Sequence, residues 1–348
     1  MMGLLTGLTV VRGSMLGPML GLSLAFGAPQ PANAGDGVSV FADPTRIASI
    51  GGSITEIVYA LGEEKHLVAR DSTSRYPKAA LDLPDVGYMR QLSPEGVLSV
   101  NPSGMLALHG SGPKEALDVL KKTSIPFIEV PDRYDREGIL EKVRVVGKAL
   151  GADAKAEALA REIDAKLQTA EKQTASIKKR KRVLFVLSMQ GGKIMAAGSD
   201  TAANGIIKLA GGVNAIEGFS GYKQLSDEAV VTARPDAILM MSNAGPPVSD
   251  DELFGNASIA STPAGTARKL IRIDGGYLLG FGPRTADAVH DLAAALYGTQ
   301  ITDCAAWSTS RSPGRRRGRW PATVTVPGAP VWSSRSPASC LRQRYCCR

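Results

Sequence analysis

The chain has 348 residues, room for two domains, and a formal net charge of +8 that first suggests a nucleic-acid partner. Position removes that suggestion: residues 299–348 hold nine arginines, no lysine and one acid (Asp303), while the other 298 residues hold 32 basic and 32 acidic side chains. A neutral body has no electrostatic footprint for a polyanion, which excludes nucleic-acid binding as its function.

In chain order, residues 1–34 read as a secretory signal peptide. Arg12 precedes the apolar run Met15 to Ala28, and Ala32-Asn33-Ala34 forms an A-x-A cleavage site before Gly35. The run is too short, and too interrupted by glycine and proline, for a membrane anchor. No later segment reaches about 18 consecutive apolar residues, so a soluble mature body is expected that meets a membrane only through a partner. All four cysteines lie beyond residue 298, and a cysteine-free exported body suits the oxidising periplasm.

Residues 35–135 are expected to form an N-terminal α/β lobe. Arg46 to Ile50 reads as a strand and Gly51-Gly52-Ser53 as a turn. A helix over 53–61 follows, with Ser53 as N-cap, Glu56 as its capping-box partner and Gly62 closing it. His66–Arg70, Gly104–Leu108 and Pro126–Val130 are further strands, and a helix runs to Lys122 after His109-Gly-Ser-Gly-Pro113. Strands alternating with helices imply parallel sheets covered on both faces.

Residues 136–180 break the alternation. They are rich in Ala, Leu, Lys and Glu with apolar positions three or four apart, which predicts a helical connector between lobes. The basic run 178–182 suits the negative end of that helix. Residues 181–298 restart the pattern as a C-terminal α/β lobe: strands at 183–187, 237–241 and 270–273, a helix over 201–209 and a closing helix over 285–296. Residues 299–348 form a tail rich in Arg, Pro and Cys without any period. It reads as a disordered extension, such as an out-of-frame gene end would encode; the alternative is a basic arm for nucleic acid or membrane. The adjacent Cys346 and Cys347 lack the partners of a metal site.

The two halves match each other. Leu92, Ser93, Glu95, Val97, Pro102 and Leu106 recur as Leu225, Ser226, Glu228, Val230, Pro235 and Leu239 at a constant offset of 133 residues. Gly87-Tyr88 heads the first copy and Gly221-Tyr222 the second, one residue out of step. In each copy serine precedes a short helix and glutamate sits in its first turn. Duplicated lobes joined by a helix create a cleft, the preferred place for a ligand.

Three segments carry a family resemblance: SIGGSITEIVYALG (49–62), DSTSRYPKAALDLPDVGYMRQLSPEGVLSVNPS (71–103) and GFGPRTADAV (280–289). Together they resemble the haemin-binding proteins of ABC importers, the HmuT type, within a wider superfamily of cobalamin and siderophore carriers. The resemblance covers about residues 45–298. It implies two Rossmann-like lobes with parallel sheets joined by a long connector helix, a monomeric periplasmic carrier and no enzymatic activity. The cargo would be ferric protoporphyrin IX, delivered to a permease with its ATPase subunit.

On this resemblance Tyr88 supplies a phenolate to the ferric iron, a hard anionic oxygen on a hard cation. Read without it, Tyr88 is an ordinary half-buried tyrosine. Arg90 either lowers the phenol's proton affinity or pairs with a haem propionate. Tyr222 is the candidate to face the haem from the opposite lobe, Arg284 a candidate propionate partner, and His109 a candidate in a loop after a strand. The superfamily docks one surface glutamate per lobe on a permease arginine, which maps onto Glu95 and Glu228; helix stabilisation explains the same two residues equally well. A ferric-siderophore or corrinoid carrier is the alternative within the superfamily, and a periplasmic haem enzyme or chaperone the alternative outside it. No phosphate loop, nucleophile elbow or zinc motif supports another chemistry.

Overall fold

A computed structural model describes residues 40–243, 248–298 and 301. The signal-peptide and tail expectations lie outside the described residues. The first half is built from β1 (Ile47–Ile50), α1 (Gly52–Leu61), β2 (Leu67–Arg70), α2 (Pro94–Leu98), β3 (Gly104–Leu108), α3 (Lys114–Lys121) and β4 (Phe127–Val130). Its four strands lie in the order β2-β1-β3-β4, all parallel. β1 and β3 are buried along their whole length, as strands covered on both faces must be. The chain passes from β1 to β2 on one side and then crosses to β3 on the other. Loops at the carboxyl ends beside such a crossing form the natural ligand crevice of an open α/β sheet.

The helical stretch is two helices, α4 (Arg136–Ala149) and α5 (Asp153–Ala175), turned at Gly151 in a left-handed conformation. Gly147 lets them cross closely, because a Cβ there would run into Ala156. α4 buries Ile139, Leu140, Val143 and Val146 against the first half. α5 presents the stripe Ala156, Ala160, Ile163, Leu167, Ala170 and Thr174, spaced three or four apart. At about 1.5 Å per residue this helix runs roughly 35 Å.

The second half contains β5 (Arg182–Gln190), β6 (Lys193–Ala197), α6 (Ala202–Leu209), β7 (Val213–Asn214), β8 (Tyr222–Gln224), α7 (Asp227–Ala233) and β9 (Ala237–Met241). After these come α8 (Asp250–Gly255), α9 (Ala257–Ala260), α10 (Pro263–Thr266), β10 (Leu270–Ile273), α11 (Gly275–Leu279) and α12 (Thr285–Tyr297). Strand order is β10-β9-β5-β6-β8, with β7 also paired to β5. β5, β9 and β10 are parallel, but β6 runs antiparallel to both β5 and β8, so this sheet is mixed rather than purely parallel. The cause is the Gly191-Gly192 turn, where both residues take positive φ and return the chain as a hairpin. Alternation along β5 splits the core: Val183 and Phe185 join the cluster shared with the first half, α5 and α12, while Leu184 and Val186 face the outer helices.

The repeat has matching geometry in the two halves. Ser93 accepts the Gly96 N–H at 3.0 Å and Ser226 the Ala229 N–H at 3.2 Å, so each caps its helix. Asn101 and Arg234, also 133 apart, both adopt left-handed backbone just before the proline that leads into a strand.

The capping-box expectation at α1 is corrected. Gly51 is the N-cap, while Ser53 and Glu56 lie buried inside the helix. The orphan N–H groups are taken from another loop: Asp71 Oδ1 accepts from Gly51 N at 3.0 Å and Thr73 Oγ1 from Gly52 N at 2.9 Å. That tertiary cap frees Glu56 for another partner.

Candidate functional site

The carboxyl ends of β2, β3 and β4 carry the loops that hold the first half's candidate residues. In the 86–92 segment Val86, Met89 and Leu92 point into the core, which leaves Tyr88 and Arg90 standing outward, Tyr88 at 40% exposure. The backbone is tied on both sides. Asp85 accepts from Gly87 N at 2.9 Å and Ser72 Oγ at 3.0 Å, and pairs with Arg70 at 2.9 Å. Met89 O accepts from Gly112 N, and Leu92 N donates to Gly112 O, both at 2.9 Å, which docks the segment on the loop after β3. Gly87 supplies the positive φ that the turn into Tyr88 requires. Such anchoring holds a side chain in place before any ligand arrives.

Tyr222 opens β8 in the second half, beyond Gly221 in a left-handed turn, and its ring meets Phe185 edge-on at 6.5 Å. Burial pushes its phenol up, and the Arg90 guanidinium pulls the other way. Arg90 of the first half therefore lies within electrostatic reach of Tyr222 in the second. A third tyrosine, not singled out from the sequence, belongs with them. Tyr134 follows β4 and packs edge-on against Phe281 at 5.3 Å. Its phenol is pushed up to about 12 by burial and by the Asp132 carboxylate beside it, against the pull of Arg90, with Tyr222 adding to the rise. The available signal was position alone, a tyrosine in the loop at the carboxyl end of a parallel strand.

Below Tyr134 lies a buried polar cluster. Lys142 of α4 is fully buried and donates to Asp132 Oδ1 at 2.5 Å and to Phe281 O at 3.2 Å, with Ser53 Oγ at 3.5 Å. Burial pulls its ammonium below the ordinary lysine range, against the Asp132 carboxylate and Glu56. A few ångströms on, Glu56 binds Arg284 through Nη2 at 2.8 Å, Nε at 2.9 Å and the backbone N–H at 3.0 Å. Burial raises the Glu56 carboxyl more than Arg284 lowers it.

Arg284, expected as a propionate partner, is therefore engaged from three sides. Besides Glu56, its guanidinium lies 3.8 Å from the Tyr76 ring centroid and 5.3 Å from that of Tyr277. His109 is exposed and pairs through Nδ1 with Glu129 at 2.8 Å, a carboxylate also held by Lys121 at 2.9 Å. His290 meets Gln173 of α5 at 3.3 Å. Glu95 and Glu228 occupy equivalent, fully exposed helix starts, where backbone N–H groups and Ser93 or Ser226 lower both carboxyls. Among the described residues no cluster of three or more His, Cys, Asp or Glu could hold a metal ion, and no helix is long and apolar enough to cross a membrane. Among the described residues the candidate site offers phenols at Tyr88, Tyr134 and Tyr222 and the Arg90 guanidinium within electrostatic reach of the last two.

Comparison with known proteins agrees with the α/β fold. The family described as periplasmic binding protein matches residues 47–277. An uncharacterised ABC transporter substrate-binding lipoprotein, YvrC of Bacillus subtilis, is 27% identical over 263 residues, 75% of this chain and 82% of the relative. The vitamin B12-binding protein of Vibrio parahaemolyticus is 25% identical over 214 residues, 60% of this chain and 74% of the relative. Among solved structures, the periplasmic heme-binding protein RhuT from Roseiflexus sp. RS-1, in apo form, is 36% identical with a TM-score of 0.69, covering 73% of this chain and 98% of its own.

Proposed function

The chain belongs to the periplasmic binding protein family, and from that premise we propose that it carries ferric haem in the cleft between its halves and delivers it to an ABC permease. Members of this family are substrate-binding components of transporters, not enzymes. The haem reading is supported by Arg90, two residues from Tyr88, lying within electrostatic reach of both Tyr222 and Tyr134, and by the 36% identity to a periplasmic heme-binding protein. In this reading Tyr88 gives the iron a phenolate oxygen, a ligand type suited to Fe(III). Tyr88 is exposed and stands two residues from a guanidinium, whereas Tyr134 is partly buried with its phenol raised beside the Asp132 carboxylate, so Tyr88 is assigned as the donor. Arg90 offers its charge to the phenolate or to a propionate, and Tyr222 forms the opposite wall. Arg284 and His109 reach a propionate only by giving up part of their present pairing with Glu56 and Glu129. Glu95 and Glu228, one on each half, are the docking carboxylates for basic residues of the permease. The carrier acts as a monomer in the periplasm after loss of its leader.

Haemin titrated into the purified apo-protein is expected to give a tyrosinate-type ferric spectrum with saturable binding. Cyanocobalamin, the cargo class named for the Vibrio relative, is the control ligand. Saturable binding of cobalamin with no haemin spectrum would sink the haem reading and leave the carrier role intact. The double variant Glu95→Ala, Glu228→Ala is expected to bind haemin as wild type does while losing most stimulation of the permease-bound ATPase. Full stimulation by that variant would remove the docking assignment.

A further inference from the structure

We propose that Tyr134 is a specificity-determining residue of the cleft, a fixed aromatic wall against which a flat tetrapyrrole rests, and not a ligand to its iron. The inference rests on the haem reading above and adds a residue and a role to it. Tyr134 stands where the two halves meet. It follows the last strand of the first sheet, yet its ring packs on Phe281, which precedes α12 and is fully buried. Its backbone carbonyl and Cβ abut Gly205 of α6, where the Cβ of any other residue would drive into them. Elements from both halves therefore set the position of this one ring.

Two further observations distinguish this ring from the core beneath it. It is only partly buried, unlike Phe281 beneath it. Its hydroxyl end lies within electrostatic reach of Arg90 from one half and Tyr222 from the other. The Asp132 carboxylate beside the hydroxyl is itself pinned by buried Lys142 at 2.5 Å. An anion fixed there opposes a second negative oxygen, so the phenol is suited to contact through its ring and not as phenolate. A rotamer locked by Phe281 and α6 costs little further entropy on binding, which is what gives a rigid aromatic contact its value.

The test uses haemin and iron-free protoporphyrin IX with the full-length apo-protein. Tyr134→Leu, of similar bulk but without the flat ring, is expected to weaken both ligands by the same factor, about tenfold. Tyr134→Phe is expected to keep both affinities within about threefold and to leave the ferric haem spectrum unchanged. Two results would overturn the inference while leaving the haem reading in place. One is equal affinity of Tyr134→Leu and wild type for both porphyrins. The other is a loss confined to haemin, or a changed iron spectrum in Tyr134→Phe, because either makes this tyrosine an iron ligand. A wild-type protein that binds neither porphyrin overturns the haem reading and this inference with it.

Discussion

Lys142→Met is expected to cost about 3–5 kcal/mol of folding stability, because it leaves the Asp132 carboxylate, 12% exposed, without the Nζ–H donor that even a neutral amine retains. Methionine is of similar volume, so the loss comes from the missing donor and not from a cavity. For a body of this size that corresponds to a fall in Tm of roughly 10 °C, read by calorimetry or urea melting. Lys142→Met combined with Asp132→Leu should recover most of the loss, since neither buried charge then remains. A single variant as stable as wild type would show that the pair contributes nothing. The pH dependence has a defined sign. The Lys142 pKa is lowered in the folded chain, so the unfolded chain holds the extra proton between that native value and the ordinary 10.5. The group's contribution is therefore present above about 10.5 and lost as pH falls through the native pKa. Lys142→Met should abolish that rise of stability with alkaline pH.

Tyr88→Phe is expected to act on the ligand and hardly on the fold. The side chain is 40% exposed and the segment is held by backbone and core contacts that the substitution leaves alone, so stability should change by no more than about 0.5 kcal/mol. Haemin affinity should fall at least about a hundredfold, ~2.7 kcal/mol, with loss of the tyrosinate absorption. Protoporphyrin IX, lacking iron, should bind the variant and wild type alike. Tyr222→Phe is the companion measurement and should keep the iron spectrum. Loss of the spectrum in Tyr222→Phe and its survival in Tyr88→Phe would move the iron ligand to the second half.

Much of this architecture was legible in the residues. Strands β1 to β4, β9 and β10 stand within one residue of their expected places, and β5 begins one residue early and runs three further, because short apolar runs between glycine and proline signals have few other solutions. The repeat anticipated two serine-capped helices with exposed glutamates, and both are present. The capping pattern at Ser53 and Glu56 misled, since Ser-x-x-Glu is a local signal and these two residues have tertiary partners. β6 and β8 escape notice because five and three residues carry too little periodicity, and only pairing, of β6 with β5 and of β8 with β6, makes them strands.

Tyr88 marks the boundary between what the sequence by itself determined and what only the tertiary structure decided. The sequence determined an α/β chain of two related halves with a helical stretch between them, and it singled out the Gly-Tyr-Met-Arg segment that heads one repeat. Those are properties of local pattern and self-similarity, which one dimension records. The tertiary structure decided which side chains come together: Lys142 with Asp132, Arg284 with Glu56, 228 residues away, and Arg90 within electrostatic reach of Tyr222 and Tyr134. Such pairings depend on how loops at the ends of separate sheets converge. Lys142 shows the difference most plainly. It stands on the buried face of α4 between Ile139 and Val146, a lysine at a core position, and only a carboxylate brought in by the preceding loop makes that position tolerable.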